Sequence, residues 1–377
     1  MTTSTNTKPP IIWQNVILFT LLFAISCGVV PWYAYQYGID AKHWVWLLIT
    51  FSFCNLSITA GYHRLWSHKT YEAHSALKVI FALGGAFALQ NSALHWSSDH
   101  RVHHKHVDNN DKDPYSAGRG FWFSHIGWML REYATNQHID YTNCRDLQKD
   151  KVVMWQHKYY LPLVLLTNIG IPLLLGIIYQ DIWGMLLVVG VLRLCLSHHS
   201  TFFINSLAHV WGSQPYTTKN SARDNAVLAV FTFGEGYHNF HHIFENDYRN
   251  GVRWWQYDPT KWLIKSCSWV GLTTKLRSVS DLRIELAKAK AKLQYAQTRL
   301  SADPTQQEHS AKLAQEFERL TQTLNDYYQT QKQLLESKYD TVMKQYEHSL
   351  LQMKYTQLKQ ELKQQRRNWH LMTTRIA

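Results

Sequence analysis

The stretch His100-Arg101-Val102-His103-His104 places three histidines at positions i, i+3 and i+4. On a helix these positions share one face, so the three imidazoles point the same way. The spacing recurs at His238-Asn239-Phe240-His241-His242, and His63-Arg64-Leu65-Trp66-Ser67-His68 sets two more histidines five residues apart. Neutral imidazole is the commonest protein ligand for transition metals and suits iron, zinc and copper. Because one metal takes about four to six ligands, these three clusters predict a site for two metal ions.

A single cluster of this kind would be a weaker signal. One HxxHH pattern on a helix is more often a solvated or packed histidine pair than a metal site. Two copies and a third cluster, each next to an apolar stretch, favour the metal site. The fold prediction follows from this, because the three clusters must meet on one side of the apolar segments that separate them.

The composition narrows the class of protein. The 377 residues include 16 Trp and 21 Tyr and carry a formal net charge of +12. Nucleic acid could be a partner for such a charge, but no nucleic-acid motif occurs, and basic loops beside membrane spans explain the charge better. The five cysteines are scattered without CxxC spacing, which indicates reduced or buried thiols rather than a disulfide framework or a thiolate zinc site. The first apolar run is too long for a cleavable signal peptide, so we expect none.

Four apolar runs are long enough to cross a bilayer, which takes about 20 residues. They cover about residues 11–35, 43–62, 161–179 and 182–203, after a polar N-terminus, residues 1–10, that we expect to be disordered. A further apolar stretch, Leu77–Leu94, lies between the first two histidine clusters. A complete crossing there would separate those clusters, so we predict a helix lying in or near the membrane interface.

Four crossings put both termini and both long loops on one side of the membrane. Lys and Arg are dense in the long loops and nearly absent from the short connections 36–43 and 180–181, with Lys42 the exception. The positive-inside bias therefore predicts that the histidine clusters face the cytosol. Arg193, His198 and His199 fall within the fourth run, and we expect them to face the protein interior because polar groups are expensive in hydrocarbon. For Arg193 a structural role is favoured.

The composition changes again after about Ser280. Residues 281–370 are rich in Gln, Lys, Glu, Leu and Tyr, and Asp303-Pro304 interrupts them. The apolar positions that repeat at spacings of four and three, with a shift of one after the fifth, are Leu313, Phe317, Leu320, Leu324, Tyr327, Leu335, Tyr339, Val342 and Tyr346. The repeat predicts a coiled-coil-like helical extension over residues 281–377, which would serve self-association or the docking of a partner.

Around the histidine clusters the sequence closely resembles the membrane-bound acyl-CoA desaturases of the stearoyl-CoA Δ9 type. The resemblance runs from about residue 11 to 275, which gives a desaturase domain over about 11–280 and leaves out the extension. The matching strings are Thr59–His68 (TAGYHRLWSH), Asp99–Lys105 (DHRVHHK), Gly120–Trp128 (GFWFSHIGW) and Gly234–His242 (GEGYHNFHH). The HRLWSH wording and its spacing to the other strings distinguish this family from membrane hydroxylases with similar histidine boxes.

The resemblance implies an all-α integral membrane protein, with four transmembrane helices and a cytosolic helical cap that holds a diiron site. It adds His209 as a ninth ligand and Asn205 as a ligand through water, since Asn205–His209 (NSLAH) matches a string of the family. O₂ would be the co-substrate. The histidines implied to bind the two irons are His63, His68, His100, His103, His104, His209, His238, His241 and His242.

The resemblance also implies a substrate tunnel. Gln90, Trp96 and Thr201 match the residues that hold a bend in the tunnel, and Asn91 and Asp99 match residues on the side of the acyl carrier. Its far end would be lined from the second span. Phe51 and Asn55 lie there, and Asn55 stands where the animal enzymes have a small residue. Asn55 could instead hydrogen-bond a neighbouring helix, and both interpretations remain open.

The implied activity is O₂-dependent insertion of a cis double bond, at Δ9, into the saturated chain of a fatty acyl-CoA. Ser98 and Arg131-Glu132 depart from basic residues of the animal enzymes, so a phospholipid-linked or other carrier-linked chain is an alternative. A related membrane diiron hydroxylase is another, which the retained bend residues disfavour. A metal transporter or a coiled-coil membrane scaffold would be non-enzymatic, but transporter ligands would lie mid-membrane on facing spans.

The expected partners follow from this activity. The haem-binding string His-Pro-Gly-Gly does not occur, so we expect electrons from a separate protein of the ferredoxin, rubredoxin or cytochrome b5 type, with its reductase. Membrane lipid is a further partner, and nucleic acid is not. We predict a multi-pass protein of a bacterial cytoplasmic membrane, or of the endoplasmic reticulum if the source is eukaryotic, with the active site and both termini in the cytosol.

Overall fold

The computed structural model describes residues 8–133, 140–301, 307–337 and 345–374, and within them the chain is mostly helical. The helices are α1 (Trp13–Tyr37), α2 (Ala41–Ser67), α3 (Ser75–Phe87), α4 (Ala93–His106), α5 (Phe121–His125), α6 (Lys151–Lys158), α7 (Tyr160–Ile178), α8 (Ile182–Val210), α9 (Ala226–Phe231), α10 (His238–Ile243), α11 (Pro259–Trp269), α12 (Asp281–Leu300), α13 (Gln307–Ser337) and α14 (Gln345–Thr374). Two strands, β1 (Glu72–Ala73) and β2 (Thr273–Thr274), pair antiparallel. The predicted all-α class is confirmed.

Four helices of the described chain are long and apolar enough to cross a membrane, namely α1, α2, α7 and α8. They coincide with the four predicted spans, although α2 and α8 continue further, to Ser67 and Val210. Large apolar side chains on these helices are exposed, for example Leu48, Leu174 and Ile177. Such surfaces suit lipid, and the chain is a multi-pass membrane protein.

Helix α3 has 13 residues, and its length of about 20 Å falls short of the roughly 30 Å hydrocarbon core of a bilayer. It packs closely against the second half of α2. Gly84 faces Ser57 and Gly85 faces the ring of Tyr62, and neither glycine leaves room for a Cβ atom. The connection between the first two histidine clusters is therefore too short to span, and it lies against the end of a spanning helix.

A strained turn joins α3 to α4. Leu89 and Asn91 both have positive φ angles, 50° and 72°, which residues other than glycine adopt rarely. Two side chains from the spans hold the turn: His198 Nε2 donates to the carbonyl of Ala88 at 3.0 Å, and the Tyr62 hydroxyl donates to the carbonyl of Asn91 at 3.1 Å. The intervening residue of this turn, at position 90, is thereby fixed relative to α2 and α8.

Arg193 lies in the middle of α8 and is fully buried. Its guanidinium donates to the carbonyl of Phe87 at 2.7 Å, to Asn168 Oδ1 at 2.8 Å and to the carbonyl of Val189 at 3.0 Å. It also stacks on the ring of Phe87, 3.9 Å from the centroid. The side chain joins α3, α7 and α8, as its predicted structural role requires.

At the opposite ends of the spans, Asp181 joins three helices. Its carboxylate accepts a hydrogen bond from the Tyr33 hydroxyl at 2.7 Å and from the backbone N–H of Gly184 at 2.8 Å, and it lies 2.8 Å from His43 Nε2. Because Asp181 precedes α8, it also caps the first turn of that helix. The short connections between spans are thus closed by polar contacts.

The first described residues contact a distant loop. Residues 1–7 lie outside the described chain, but Pro9 and Pro10 are ordered against the loop after α5. Arg131 donates to the carbonyl of Pro9 at 2.7 Å, and the N–H of Glu132 donates to the carbonyl of Pro10 at 2.9 Å. The disorder predicted for residues 1–10 stays a prediction, although the carbonyls of Pro9 and Pro10 have partners that the local sequence does not reveal.

The chain divides into two compact units. One contains residues up to Ser213 together with Asn220–Ser278, and the other contains Gln214–Lys219 and the residues from Val279 onward. The second unit has its own apolar core, formed between α12, α13 and α14 around Leu313, Leu320, Leu324, Leu362 and Trp369. The first three are predicted repeat positions.

The rest of the predicted repeat is only partly visible. Leu335 is exposed, so the repeat beyond its shift does not bury this position. Asp303-Pro304, Tyr339 and Val342 lie outside the described residues, as does the side chain of Tyr346.

Candidate metal centre

Nine histidine side chains converge in two adjacent groups, and in each group the potential ligand atoms lie within 4.8 Å of one another. The nine are the histidines predicted as ligands. The five-histidine group consists of His63, His68, His100, His104 and His241. The four-histidine group consists of His103, His209, His238 and His242.

The Nε2 atoms face the centre of each group. His63 and His241 approach to 3.0 Å between these atoms, and His209 and His238 to 3.2 Å. The two groups touch where the rings of His104 and His242 stack, with centroids 4.3 Å apart and planes 8° from parallel. Two ions bound in this way would form a single dinuclear centre.

A π-helical segment brings His63 and His68 together. In a regular α-helix, residues five apart point about 140° away from each other. The last part of α2, Ser57–Ser67, is instead π-helical, and the N–H of His68 bonds to the carbonyl of His63 at 3.1 Å, five residues back. The two rings consequently lie 4.8 Å apart between centroids.

The other two clusters lie on α4 and α10, with the spacing predicted for one helical face. On α4, His100 and His104 enter the five-histidine group while His103 enters the other. On α10, His241 enters the five-histidine group and His238 the other. Each helix therefore contributes ligands to both groups. The spacing of the histidines predicts that they share one face of a helix, but not which group each of them joins.

Most of these imidazoles have a polar partner at the second ring nitrogen, Nδ1. Asp113 Oδ1 lies 2.9 Å from His103, Glu235 Oε2 lies 2.9 Å from His63 and Glu245 Oε2 lies 3.2 Å from His104. The Tyr115 hydroxyl lies 3.2 Å from His100, and Ser221 Oγ lies 2.7 Å from His209. Such partners fix the ring and direct Nε2 toward a metal.

The local sequence does not identify these partners. Glu235 lies within the quoted Gly234–His242 string, and Asp113 follows the Asp99–Lys105 string by eight residues. Closeness in sequence to a histidine cluster is therefore the one indication that the sequence offers. Nothing in the local pattern selects these carboxylates from others nearby. Their role follows from contacts between distant segments.

Glu235 is buried and fully partnered. Arg64 Nη2 donates to its Oε1 at 2.9 Å, and Asn250 Nδ2 donates to its Oε2 at 2.6 Å. Burial alone would raise the pKa of Glu235, but His63 and Arg64 outweigh it and lower the pKa to about 2. The carboxylate is therefore negative beside the ring of His63 and would offset the positive charge of metal ions bound there.

Most of the ligand rings are held neutral. Burial, and then the neighbouring imidazoles, keep the pKa of His100, His238, His241 and His242 well below the usual range. A neutral ring can offer its Nε2 lone pair to a cation. The converging Nε2 atoms, the carboxylates behind them and this neutrality all fit two transition-metal ions.

A cavity of about 450 Å³ adjoins the centre. Trp96 separates the two, since its indole lines the cavity and stacks on the ring of His100 at 4.8 Å between centroids. Tyr115, the partner of His100, lines the cavity as well. The predicted substrate and water-mediated residues on its wall are Gln90, Asn91, Trp96, Asp99, Thr201 and Asn205.

Two of the three predicted bend residues are in contact. Gln90 Nε2 donates to Thr201 Oγ1 at 2.8 Å, which ties the strained turn before α4 to α8. Leu18 and Phe19 of α1 form an apolar part of the same wall, whereas Asn91, His95 and Asp99 supply polar groups. A ligand with a polar head and an apolar chain would match this arrangement.

Asn55 is placed differently from the other predicted substrate residues. It is buried, and its Nδ2 donates to the carbonyl of Phe51 at 2.8 Å within the same helix. Asn55 is not one of the residues lining the 450 Å³ cavity, while Phe51 lines a separate apolar groove of about 530 Å³ with Phe203 and Phe231. The hydrogen bond lies within α2, rather than with the neighbouring helix considered above.

His199 also has a clear place. His125, from the Gly120–Trp128 string, lies 3.0 Å from His199 Nδ1 through Nε2 and 2.9 Å from Ser206 Oγ through Nδ1. The pair connects α5 with α8 just before His209. Together with His198 at the strained turn, these residues give α8 polar contacts to α5 and to the turn before α4.

Comparison with known proteins agrees with this arrangement. The family described as fatty acid desaturase matches residues 41–269. A probable acyl-CoA desaturase of Schizosaccharomyces pombe is 44% identical over 248 residues, 66% of this chain and 51% of the relative. Stearoyl-CoA desaturase 5 of Homo sapiens is 37% identical over 74% of this chain and 85% of the relative. The Delta(9)-fatty-acid desaturase fat-7 of Caenorhabditis elegans is 37% identical over 73% of this chain and 81% of the relative.

The match is partial for some of these relatives. The chain spans about half the length of the two yeast acyl-CoA desaturases that it matches, 51% and 53%. The matched region contains every one of the nine converging histidines. From the matched region and these identities, the chain belongs to the fatty acid desaturase family.

Proposed function

We propose that the protein is an O₂-dependent acyl desaturase that inserts a cis double bond into a saturated fatty acyl chain. The observation that carries the proposal is the 450 Å³ cavity, which meets the histidine centre at Trp96 and has the hydrogen-bonded pair Gln90 and Thr201 on its wall. A cavity of this kind can hold one C–C bond beside two metal ions. The names of the relatives, acyl-CoA and Delta(9)-fatty-acid desaturases, support the same activity.

We infer that the two ions are iron. All the candidate ligands are imidazole nitrogen atoms, which suit iron among other transition metals. Two irons, when bound, would supply the strong oxidant that removes hydrogen from an unactivated methylene pair. In the overall reaction the acyl chain loses two hydrogen atoms. These two hydrogen atoms, together with two protons and two electrons from the donor, reduce O₂ to two molecules of water.

The protein's own contribution would be to position the chain and to exclude water. The apolar wall at Leu18 and Phe19 would take the methyl end, and Asn91 and Asp99 would contact the carrier side. The bend between Gln90 and Thr201 would select the bond that reaches the metal centre. Trp96 would shield the centre from the rest of the cavity, since it lies directly over His100.

The carrier is proposed to be coenzyme A, as in the names of several relatives. The positions that depart from the family's basic residues have other roles here. Ser98 Oγ donates to Asn143 Oδ1 at 2.8 Å, and Arg131 donates to the carbonyl of Pro9. A phospholipid-linked chain is the alternative carrier, because Ser98 and Glu132 lack the positive charge expected opposite a phosphate-rich nucleotide.

Electrons would come from a separate protein of the ferredoxin, rubredoxin or cytochrome b5 type. The metal centre would face the cytosol, on the side to which the basic loops assign it. Eukaryotic relatives favour the endoplasmic reticulum over the bacterial membrane predicted first. Self-association through α12–α14 remains part of the proposal.

Expression in a host that lacks its own unsaturated fatty acids tests the activity directly. Gas chromatography of fatty-acid esters should show monounsaturated chains with the intact protein and none with His103→Ala. The double bond should lie at Δ9. An alcohol in place of the alkene would indicate the hydroxylase, and incorporation confined to phospholipid-bound substrate would indicate the other carrier.

A further inference from the structure

A solvent opening of about 410 Å³ lies next to the five-histidine group. Two ligand rings of that group, His68 and His104, form part of its wall. Glu245 and Asn246 lie on the opposite side, just after the end of α10. The opening is polar, so water and small solutes can reach the edges of two ligand rings.

Glu245 faces both of these rings. Its Oε2 lies 3.2 Å from His104 Nδ1 and 4.0 Å from His68 Nδ1. His104 is on α4, His68 directly follows α2 and Glu245 follows α10, so one carboxylate connects three of the segments that build the centre. Since both rings direct Nε2 inward, the negative charge of Glu245 lies behind two ligands of the same ion.

The other carboxylates behind ligand rings are placed differently. The side chains of Glu235 and Asp113 are 2% and 0% exposed, and Glu235 also bonds Arg64 and Asn250. The Glu245 side chain is 48% exposed. Of these three carboxylates, Glu245 is therefore the one that lies between the five-histidine group and the solvent opening.

We propose that Glu245 is a positioning residue that closes the solvent side of the five-histidine group and sets how long that group retains its metal ion. Resting on the proposed function, the inference requires that the nine histidines bind two ions. An ion that leaves the five-histidine group toward the solvent opening would then pass Glu245. For this to happen, His68 and His104 must move apart, and the carboxylate of Glu245 holds both rings on that side.

Metal release from the purified full-length protein tests this. The iron-loaded protein, in detergent, is mixed with the ferrous chelator 2,2′-bipyridine, and the coloured complex is followed with time. Loss of a carboxylate behind a ligand ring lowers metal affinity about 10–100-fold, so Glu245→Ala should release one of the two irons about tenfold faster. Glu245→Gln keeps an oxygen that accepts from His104, so its rate of iron release should lie between the rates of the wild type and Glu245→Ala. Asn246→Ala, on the same opening, is the matched control and should match the wild type.

The outcomes are distinct. One accelerated phase, equal to half of the iron, supports the inference. Identical release from wild type and Glu245→Ala overturns it, as does equal acceleration of both irons, because Glu245 would then not act on one group. A wild-type protein that does not hold two irons overturns the proposed function itself. Size-exclusion profiles of both variants separate these results from misfolding.

Discussion

At the scale of single residues, the candidate centre depends on pairs rather than on isolated histidines. His103 illustrates this, because its Nδ1 is held by Asp113 while its Nε2 joins the four-histidine group. His241 lies in the five-histidine group, 2.9 Å from His104 and 3.0 Å from His63 between Nε2 atoms. The His103 ring is held at both nitrogens, and the His241 ring places Nε2 between two other rings of its group.

Replacing a ligand should therefore remove metal and activity together. His103→Ala or His241→Ala is expected to lose at least one of the two irons and to abolish product, because each removes a ligand that water cannot fully replace. Metal analysis of the purified variants measures the loss. His74→Ala is the control, since that ring caps the first turn of α3 through the N–H of Ala76 and lies outside both groups. One zinc per chain in active enzyme would contradict the diiron assignment.

The bend residues give a second prediction. Thr201→Val removes the acceptor of the Gln90 hydrogen bond, which is worth about 1 kcal/mol, or about a fivefold change in a rate or an equilibrium. We expect slower turnover and a mixture of double-bond positions, because the turn before α4 is less firmly tied to α8. Mass spectrometry of dimethyl disulfide adducts locates the double bonds.

Thr50→Val is the matched control for that variant. Thr50 is also a buried threonine in a spanning helix, but its hydroxyl bonds only to carbonyls of its own helix, at Trp46 and Leu47. It should leave the product pattern unchanged. If Thr201→Val gives the single wild-type product at the wild-type rate, the Gln90–Thr201 bond does not determine the position of the double bond.

At the scale of elements, two features adapt ordinary helices to the site. The π-helical end of α2 aligns His63 with His68, and the strained turn before α4 brings Gln90 to the cavity. Both depart from regular geometry and must be held by their surroundings. Arg193 is the residue that ties the end of α3 to α7 and α8 beside that turn.

Arg193→Ala should accordingly destabilise the membrane unit. It leaves the carbonyl of Phe87 and the Oδ1 of Asn168 without their donor, and an unsatisfied buried group costs about 1–3 kcal/mol. We expect a lower temperature of aggregation, measured by size-exclusion chromatography after heating in detergent. Arg145→Ala, at an exposed arginine, should behave as wild type. Equal thermal stability of both variants would mean that Arg193 is not structural.

At the scale of the whole molecule, the second unit can be separated from the metal centre in principle, because all nine histidines belong to the first unit. Truncation after Ser278 should leave the iron content unchanged and alter the assembly size or partner binding. Iron analysis and light scattering measure the two effects. Loss of iron from a folded truncated protein would contradict this boundary.

The position of the truncation is itself informative. Ending the chain after Leu300 keeps α12 but removes α13 and α14, against which Ala289, Ala296 and Leu300 pack. An uncovered apolar helix face favours aggregation. We therefore expect the protein ending at Leu300 to aggregate more than the one ending at Ser278. The reverse order would indicate that α12 does not depend on its two partner helices.

Features that repeat or recur locally could be predicted from the amino-acid pattern. Runs of about 20 apolar residues gave the spans, because backbone groups in a bilayer must bond within a helix. The spacing of His100, His103 and His104 predicted their shared helix, and the quoted strings identified the family. His209 and Gln90 were found through the resemblance alone, since nothing in their local pattern distinguishes them.

Tertiary structure alone decided what depends on contacts between distant segments. It assigns His100 and His103, three residues apart on one helix, to different metal groups. It selects Asp113, Glu235 and Glu245 from the acidic residues of the chain, and it converts the end of α2 to a π-helix. Periodicity specifies the face on which a side chain lies, but a metal site depends on where several faces meet, and that is set by the packing of the whole unit.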